Sequence, residues 1–477
     1  MDALVNSLSY FLWVAVALGI LVFVHEMGHF LAARLFKMRV NAFSIGFPPN
    51  LFTKKAGDTE YRVGAIPLGG YVSIAGMVDE TLETDGQESE PAPDEYRAKP
   101  VWQRAVVISA GVVFNVVFAV LIFAALAWAY GQPYTPAENV SFEVAPGSIA
   151  AEMGMETGDR IVGVNGEPVD RVEDVFTPET VSATPFRLTV QRGGQRVELA
   201  SEDGFVTRLS QRSAQAEDAG EQVSIGGSFG IQPQFPPVLG GVSTGSAADQ
   251  AGLQAGDRIL SIGGEPTDSW IRLTDQVRAS EGRPVAVVWA RPDSLGPAGE
   301  GAEVVERRAA ATVYRAEVAP RPSGDGYQLG VMVDAAAAGQ RVDRVGPGEA
   351  LALGTRNAVG NVTATFAFIG KMVTGRESVR ENVGGPLMIA KQSKEAADLG
   401  LRVFWSFVAN ISIALAVFNV LPIPALDGGH LVFLAYEAVV RREPSLKVRL
   451  VVQQVGVALI LALMVFVIFN DAVRWFG

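Results

Sequence analysis

Apolar and polar stretches divide the chain into four long apolar runs, with a large mixed region between the second and the third. The runs extend from about Leu8 to Phe36, Val106 to Tyr130, Val403 to Leu421 and Leu450 to Phe469. Each is close to the length of about 20 residues that crosses a bilayer as a helix. The first run has no basic leader and is too long for a signal peptide, so it reads as a retained span. Residues 40–76 hold short β-type runs punctuated by Gly and Pro, which predict a small hairpin. Asp79 to Glu95 is acidic and aperiodic, with Glu80, Glu83, Asp85, Glu88, Glu90 and Asp94, and reads as a solvated linker. Between Thr355 and Thr374, Val359, Val362, Phe366 and Ile369 recur at helical spacing. Asn382-Val383-Gly384-Gly385-Pro386 breaks that helix, and a second short one is expected to end near Leu399. Both are expected to pack on neighbouring modules or to lie on a membrane surface.

The mixed region contains an internal repeat. Gly147 to Ile161 matches Gly245 to Ile259, 98 residues later, and each copy runs into a strand and a turn, Val164-Asn165-Gly166-Glu167-Pro168 and Ile262-Gly263-Gly264-Glu265-Pro266. That period suits two tandem globular modules rather than a solenoid. The Gly-Asp-Arg-Ile turn after an Ala-rich short helix resembles the PDZ domain in both copies. Such modules bind extended peptides at a sheet edge, or act as rigid spacers and steric filters.

Four spans put both termini on one side. Arg34, Lys37 and Arg39 follow the first run, Arg97, Lys99 and Arg104 precede the second, and Arg441, Arg442, Lys447 and Arg449 precede the fourth. The positive-inside rule makes these ends cytoplasmic and puts residues 131–402 outside.

Of the 477 residues 49% are hydrophobic, in keeping with a membrane protein, and the net charge of −12 without a basic stripe excludes nucleic acid as a partner. There is no cysteine, so a metal centre here must use His and carboxylate ligands.

Candidate chemistry sits inside the first run, at His25-Glu26-Met27-Gly28-His29. Histidines four apart share one face of a helix and can reach one ion, with Glu26 beside the first. Two neutral imidazoles suit Zn²⁺, and the carboxylate can take a proton from its water. His25 lies nine residues before Arg34, about 13 Å of helix, so the metal belongs in the membrane near its cytoplasmic face. A third ligand is available where the third run ends in Asn419-Val420-Leu421-Pro422-Ile423-Pro424-Ala425-Leu426-Asp427-Gly428-Gly429-His430. Two prolines two apart open the backbone at membrane depth. Asp427 there needs a cation, which zinc on His25 and His29 supplies; its alternative role is a helix cap. His430 is read as a hydrogen-bonding residue.

These motifs, in this order, together resemble the site-2 protease family of intramembrane zinc metalloproteases. The resemblance extends to Gly69-Gly70-Tyr71-Val72 and to Gly111-x-x-x-Asn115, and it departs at Ala414, where some members carry a further Asn, and in the acidic linker. It implies one Zn²⁺ per chain held by His25, His29 and Asp427, with Glu26 as the catalytic carboxylate. It further implies that Gly69, Gly70, Tyr71 and Val72 pair with substrate as an added strand, helped by Asn419. Substrates would be single-span proteins such as anti-sigma factors, and remnant signal peptides, cleaved within the bilayer of a bacterial inner membrane.

The expected fold is a multi-pass α-helical membrane protein with four transmembrane helices, a cytoplasmic β-hairpin region and two external PDZ domains. The boundaries are 1–40 for the first span, 41–100 for hairpin and linker, 101–131 for the second span and 132–234 and 235–336 for the PDZ pair. The amphipathic helices take 337–400, the third span 401–440 and the fourth 441–477. A catalytically silent PDZ scaffold is the alternative, though a structural zinc site has no need of Glu26. A transporter with a broken helix fits less well, since the spans form no inverted repeat.

Overall fold

A computed structural model describes residues 2–77, 90–202, 204–218, 225–299, 301–323, 326–334, 336–337, 339–375 and 384–476. Most of the acidic linker, including Glu80, Glu83, Asp85 and Glu88, lies outside the described residues, as do Asn382 and Val383. The chain forms two compact units, one of residues 1–130 with 345–477 and one of residues 131–344.

The first unit runs through α1 (Asp2–Leu35), β1 (Val40–Ala56), β2 (Thr59–Ile74), α2 (Val101–Tyr130), α3 (Pro347–Val373), α4 (Pro386–Asp398), α5 (Leu401–Val420), α6 (Asp427–Val440) and α7 (Leu446–Phe476). Among the described residues four helical stretches are long and apolar enough to cross a membrane: Tyr10–Leu35, Val101–Tyr130, Leu401–Val420 and Lys447–Asp471. α1 ends where Lys37 takes a left-handed φ of 55° and the Met38 amide donates back to the Ala33 carbonyl at 2.8 Å. α1 and α2 meet through small residues: a Cβ on Gly28 would stand 2.5 Å from the Ala110 carbonyl oxygen. Such contacts matter in lipid, where packing rather than hydrophobic drive holds helices together. Two apolar cores bracket this crossing. One joins Ala33, Val40, Val72, Ile74, Val107, Ile108 and Leu434. The other joins Ala17, Leu21, Ala119, Phe404, Val408 and Ile413.

The hairpin differs from the short runs expected. Its strands are 17 and 16 residues long, and residues 42–45 pair on one side with 60–63 and on the other with 70–73. The chain can fold back in this way because Gly46, at φ 85°, and Gly64 sit in contact, with no room for a Cβ on either. Residues 70–74 thus form an edge of a small curled sheet.

α3 begins earlier than the periodicity indicated, at Pro347, and packs on α2: a Cβ on Gly354 would stand 2.6 Å from the Val120 carbonyl oxygen. After α5, Pro422 and Pro424 stop the helix, Ala425 adopts φ 71°, and α6 restarts at Asp427. Gly428 and Gly429 lie against the carbonyls of Val420 and Ile423, each at 2.5 Å from an added Cβ, so the turn has room for hydrogen only.

The second unit has two separate cores. Phe142, Ile161, Phe186, Leu188, Val190 and Phe229 centre the first; Leu239, Ile259, Leu273, Val287 and Trp289 centre the second. Strands 160–164 and 258–262 lie in sheets of four and five strands, each preceded by a one-turn helix, Ile149–Glu152 and Ala247–Gln250. The repeat is also chemical. Arg192 binds Asp159 and the Gly154 carbonyl, and Arg291 binds Asp257 and the Gly252 carbonyl. Both ends of this unit meet: Gln132–Tyr134 pairs antiparallel with Arg341–Asp343.

Candidate active site

His25 and His29 stand one turn apart on α1, both buried, because a helix of period 3.6 brings positions i and i+4 to one face. Their Nε2 atoms are 3.2 Å apart. The turn after Pro424 delivers the Asp427 carboxylate to the same point, with Oδ2 at 3.3 Å from His25 Nε2 and 3.5 Å from His29 Nε2. The buried Oδ2 has no hydrogen-bond partner. A tetrahedral ion with bonds of about 2.0–2.1 Å sets its donors about 3.3 Å apart, so this triangle fits zinc. Among the described residues no other group of three such side chains converges in this way.

α2 holds the imidazoles although it supplies none of the three converging side chains. His29 Nδ1 donates to the Val107 carbonyl at 2.8 Å, which leaves Nε2 with its lone pair toward the triangle. His25 Nδ1 is 3.2 Å from the Asn115 amide, whose Oδ1 is otherwise buried without a partner. The two amide atoms are interchangeable in assignment, and Oδ1 facing His25 lets Nδ1 donate and satisfies both groups. The Ser412 hydroxyl donates to the Asn115 carbonyl at 2.9 Å and ties α5 to the same point. A Cβ on Gly111 would stand 2.7 Å from His25 Cε1, so only glycine lets α2 pass under the rings.

Glu26 is buried and lines a cavity of about 50 Å³ together with His25, His29, Tyr71, Val72 and Asp427. His430 also lines it but is not one of the three converging groups. The edge strand 70–74 forms the cavity's wall. A Cβ on Gly70 would stand 2.6 Å from Val22 Cγ1 and 3.3 Å from Glu26 Cγ, so the strand's backbone comes as near to Glu26 as a glycine allows. Gly69 lies against the Phe47 ring, and the Tyr71 hydroxyl accepts from Arg62 at 2.7 Å. Asn419, at the end of α5, places Nδ2 3.5 Å from His25 Nε2, at the rim of the triangle.

The family model described as peptidase family M50 matches residues 13–463. The chain belongs to that family. It is 34% identical over 492 residues to the regulator of sigma-E protease RseP of Escherichia coli, which covers 97% of this chain and 99% of the relative. It is 34% identical over 487 residues to the protease RseP of Yersinia pestis, with 99% and 100% covered. A Neisseria meningitidis relative, named for zinc metalloprotease activity, is 33% identical over 466 residues, with 97% and 98% covered. This M50 chain is a membrane-embedded zinc metalloprotease, and its cofactor is zinc.

Asn115 is the site residue whose role the sequence left open. An amide in the middle of the apolar run from Val106 to Tyr130 was the available signal, since polar groups inside a span are costly and seldom idle.

Proposed function

We propose that this M50 chain cleaves the membrane-spanning segments of single-span proteins, of the anti-sigma factor type, and remnant signal peptides. The observation that carries the reading is the His25–His29–Asp427 triangle beside the 70–74 sheet edge, unpaired among the described residues, with Glu26 between them. His25, His29 and Asp427 hold the metal. When bound, zinc polarises the scissile carbonyl and acidifies water. Glu26 takes the proton of the attacking water and passes it to the leaving amine. A helical substrate cannot react, because its carbonyls are hydrogen-bonded along the helix and shielded. Strand addition at Gly69 to Val72 supplies replacement hydrogen bonds for an unwound segment. Asn419 holds that segment from the opposite rim.

The sigma-E regulators among the relatives support this substrate class. The protein belongs in a bacterial inner membrane, with the catalytic centre near the cytoplasmic face and the hairpin on that side. The modules at 132–234 and 235–336 are read as external PDZ domains that exclude substrates with bulky outer parts. The test is cleavage of a single-span reporter by the full chain in lipid vesicles, with the cut mapped by mass spectrometry. A cut inside the apolar segment that a zinc chelator stops is expected. A cut outside that segment, or chelator-resistant turnover, would overturn the reading.

A further inference from the structure

α6 carries Asp427 at its first residue, and the turn before it breaks the continuity with α5. In lipid, nothing in hydrophobic drive fixes how far such a helix slides along its neighbour. Its far end is fixed by charge. Arg104 of α2, only 5% exposed, donates to Glu437 of α6 and, at 3.2 Å, to Glu443 just beyond it. Glu443 is in turn 3.5 Å from Arg449 of α7, and the Arg104 guanidinium lies 5.8 Å from the centre of the Tyr96 ring. Glu437 is ten residues, about 15 Å of helix, from the ligand it shares an axis with.

Arg104 does not act on an isolated face. Residues 104, 107, 111 and 115 follow helical spacing of three, four and four along α2. Arg104 holds the helix of Asp427, the Val107 carbonyl holds His29, Gly111 admits both rings and Asn115 holds His25. We infer that this stripe of α2 sets the triangle, and that Arg104 is the positioning residue for Asp427, acting through Glu437 at the opposite end of α6. Losing Arg104 leaves the partly buried Glu437 carboxylate without that cation, and the cheapest relief is movement of α6 toward water. A shift of 1 Å would open the 3.3 Å and 3.5 Å contacts of Asp427 while leaving the two imidazoles where they are.

The inference rests on His25, His29 and Asp427 being the ligands, and the test separates the two. The full chain in detergent is stripped of metal, and zinc affinity is measured by competition with a chromophoric chelator; cobalt replaces zinc for its visible absorption. Asp427→Asn first establishes the spectrum of a site without its carboxylate. Arg104→Gln and Glu437→Gln are expected to weaken zinc 10–100-fold, the range for loss of outer-shell support, and to move the cobalt bands toward those of Asp427→Asn. Arg104→Lys, which keeps the charge, is expected within about fivefold of the parent by the same scale. Leu434→Ala, a packing change on the same helix, is expected to lower the melting temperature with affinity held within about threefold. If Arg104→Gln and Glu437→Gln lower only the melting temperature, with parental affinity and cobalt bands, Arg104 is a structural residue and the inference fails. If Arg104→Gln does not fold, Glu437→Gln alone decides. Parental cobalt bands in Asp427→Asn would instead overturn the ligand assignment itself.

Discussion

A histidine that binds metal through one nitrogen almost always donates from the other, which fixes its tautomer and orientation. Both imidazoles have such an acceptor on α2, the Val107 carbonyl for His29 and the Asn115 side chain for His25. Asn115→Leu removes one acceptor without changing any of the three converging side chains, and zinc affinity should fall 10–100-fold in a metal-competition titration. Glu26→Gln should lower reporter cleavage 10²–10⁴-fold, the usual worth of a general base, with zinc content unchanged by elemental analysis. Cleavage at the parental rate in that variant would remove Glu26 from the mechanism. His25, Glu26 and His29 could be read from sequence because their geometry is local, set by four residues of helix. Asp427 was legible for a different reason: a carboxylate after Leu-Pro-Ile-Pro inside an apolar run has few inexpensive fates. Arg104 was not, since one basic residue before a span reads equally well as a membrane-end charge, and its partners lie more than 330 positions away.

At the scale of elements, the small sheet between α1 and α2 matters most. Short β-type runs punctuated by Gly and Pro indicated strands between 40 and 76, but not that residues 42–45 would take a neighbour on each side. Pairing across a folded-back strand depends on register, which the sequence specifies only through close contacts such as Gly46 on Gly64. The edge it leaves presses against α1 at Gly70. Gly70→Ala puts a methyl group 2.6 Å from both the Ser44 carbonyl and Val22 Cγ1, which pushes the strand off Glu26. Reporter cleavage should fall at least tenfold, while zinc affinity, set by other elements, stays at the parental value. Equal losses of both would mean that the sheet supports the ligands rather than the substrate. The four apolar runs became membrane-length helices because length and composition decide that outcome, whereas α3 settled on α2 through small residues four apart, Ala350, Gly354 and Ala358, which an apolar periodicity does not single out.

For the whole molecule, the inserted unit has its own stability ledger. In its first core the Asp159 carboxyl is buried, which raises its pKa, but hydrogen bonds from Arg192 and the Glu156 amide outweigh that and hold it below the usual carboxylate range. A depressed pKa stabilises the folded form above the ordinary carboxylate value and is lost as pH falls through the native one. Protease sensitivity of residues 140–231 should therefore rise below about pH 4, where the unfolded carboxyl begins to take up protons. Asp159→Asn should show the same sensitivity at neutral pH and lose its acid dependence, at a cost of about 2 kcal/mol for a pair open to solvent on the arginine side. An unchanged digestion pattern across that range would show that the pair does not hold the core. The repeated turns made two modules legible, but not the paired arginines that lock them, because Arg192 and Arg291 lie over 30 residues beyond their aspartates.

The neck of that unit has a consequence for how such chains can change. Gln132 to Tyr134 enters beside the departing Arg341 to Asp343, so more than 200 residues begin and end within one inter-strand spacing, about 5 Å. A graft joined at this two-strand stem leaves the catalytic half with the same connection whatever it carries. The inserted unit is in effect a cassette, free to be lengthened, shortened or exchanged, while the catalytic unit keeps one fixed handle.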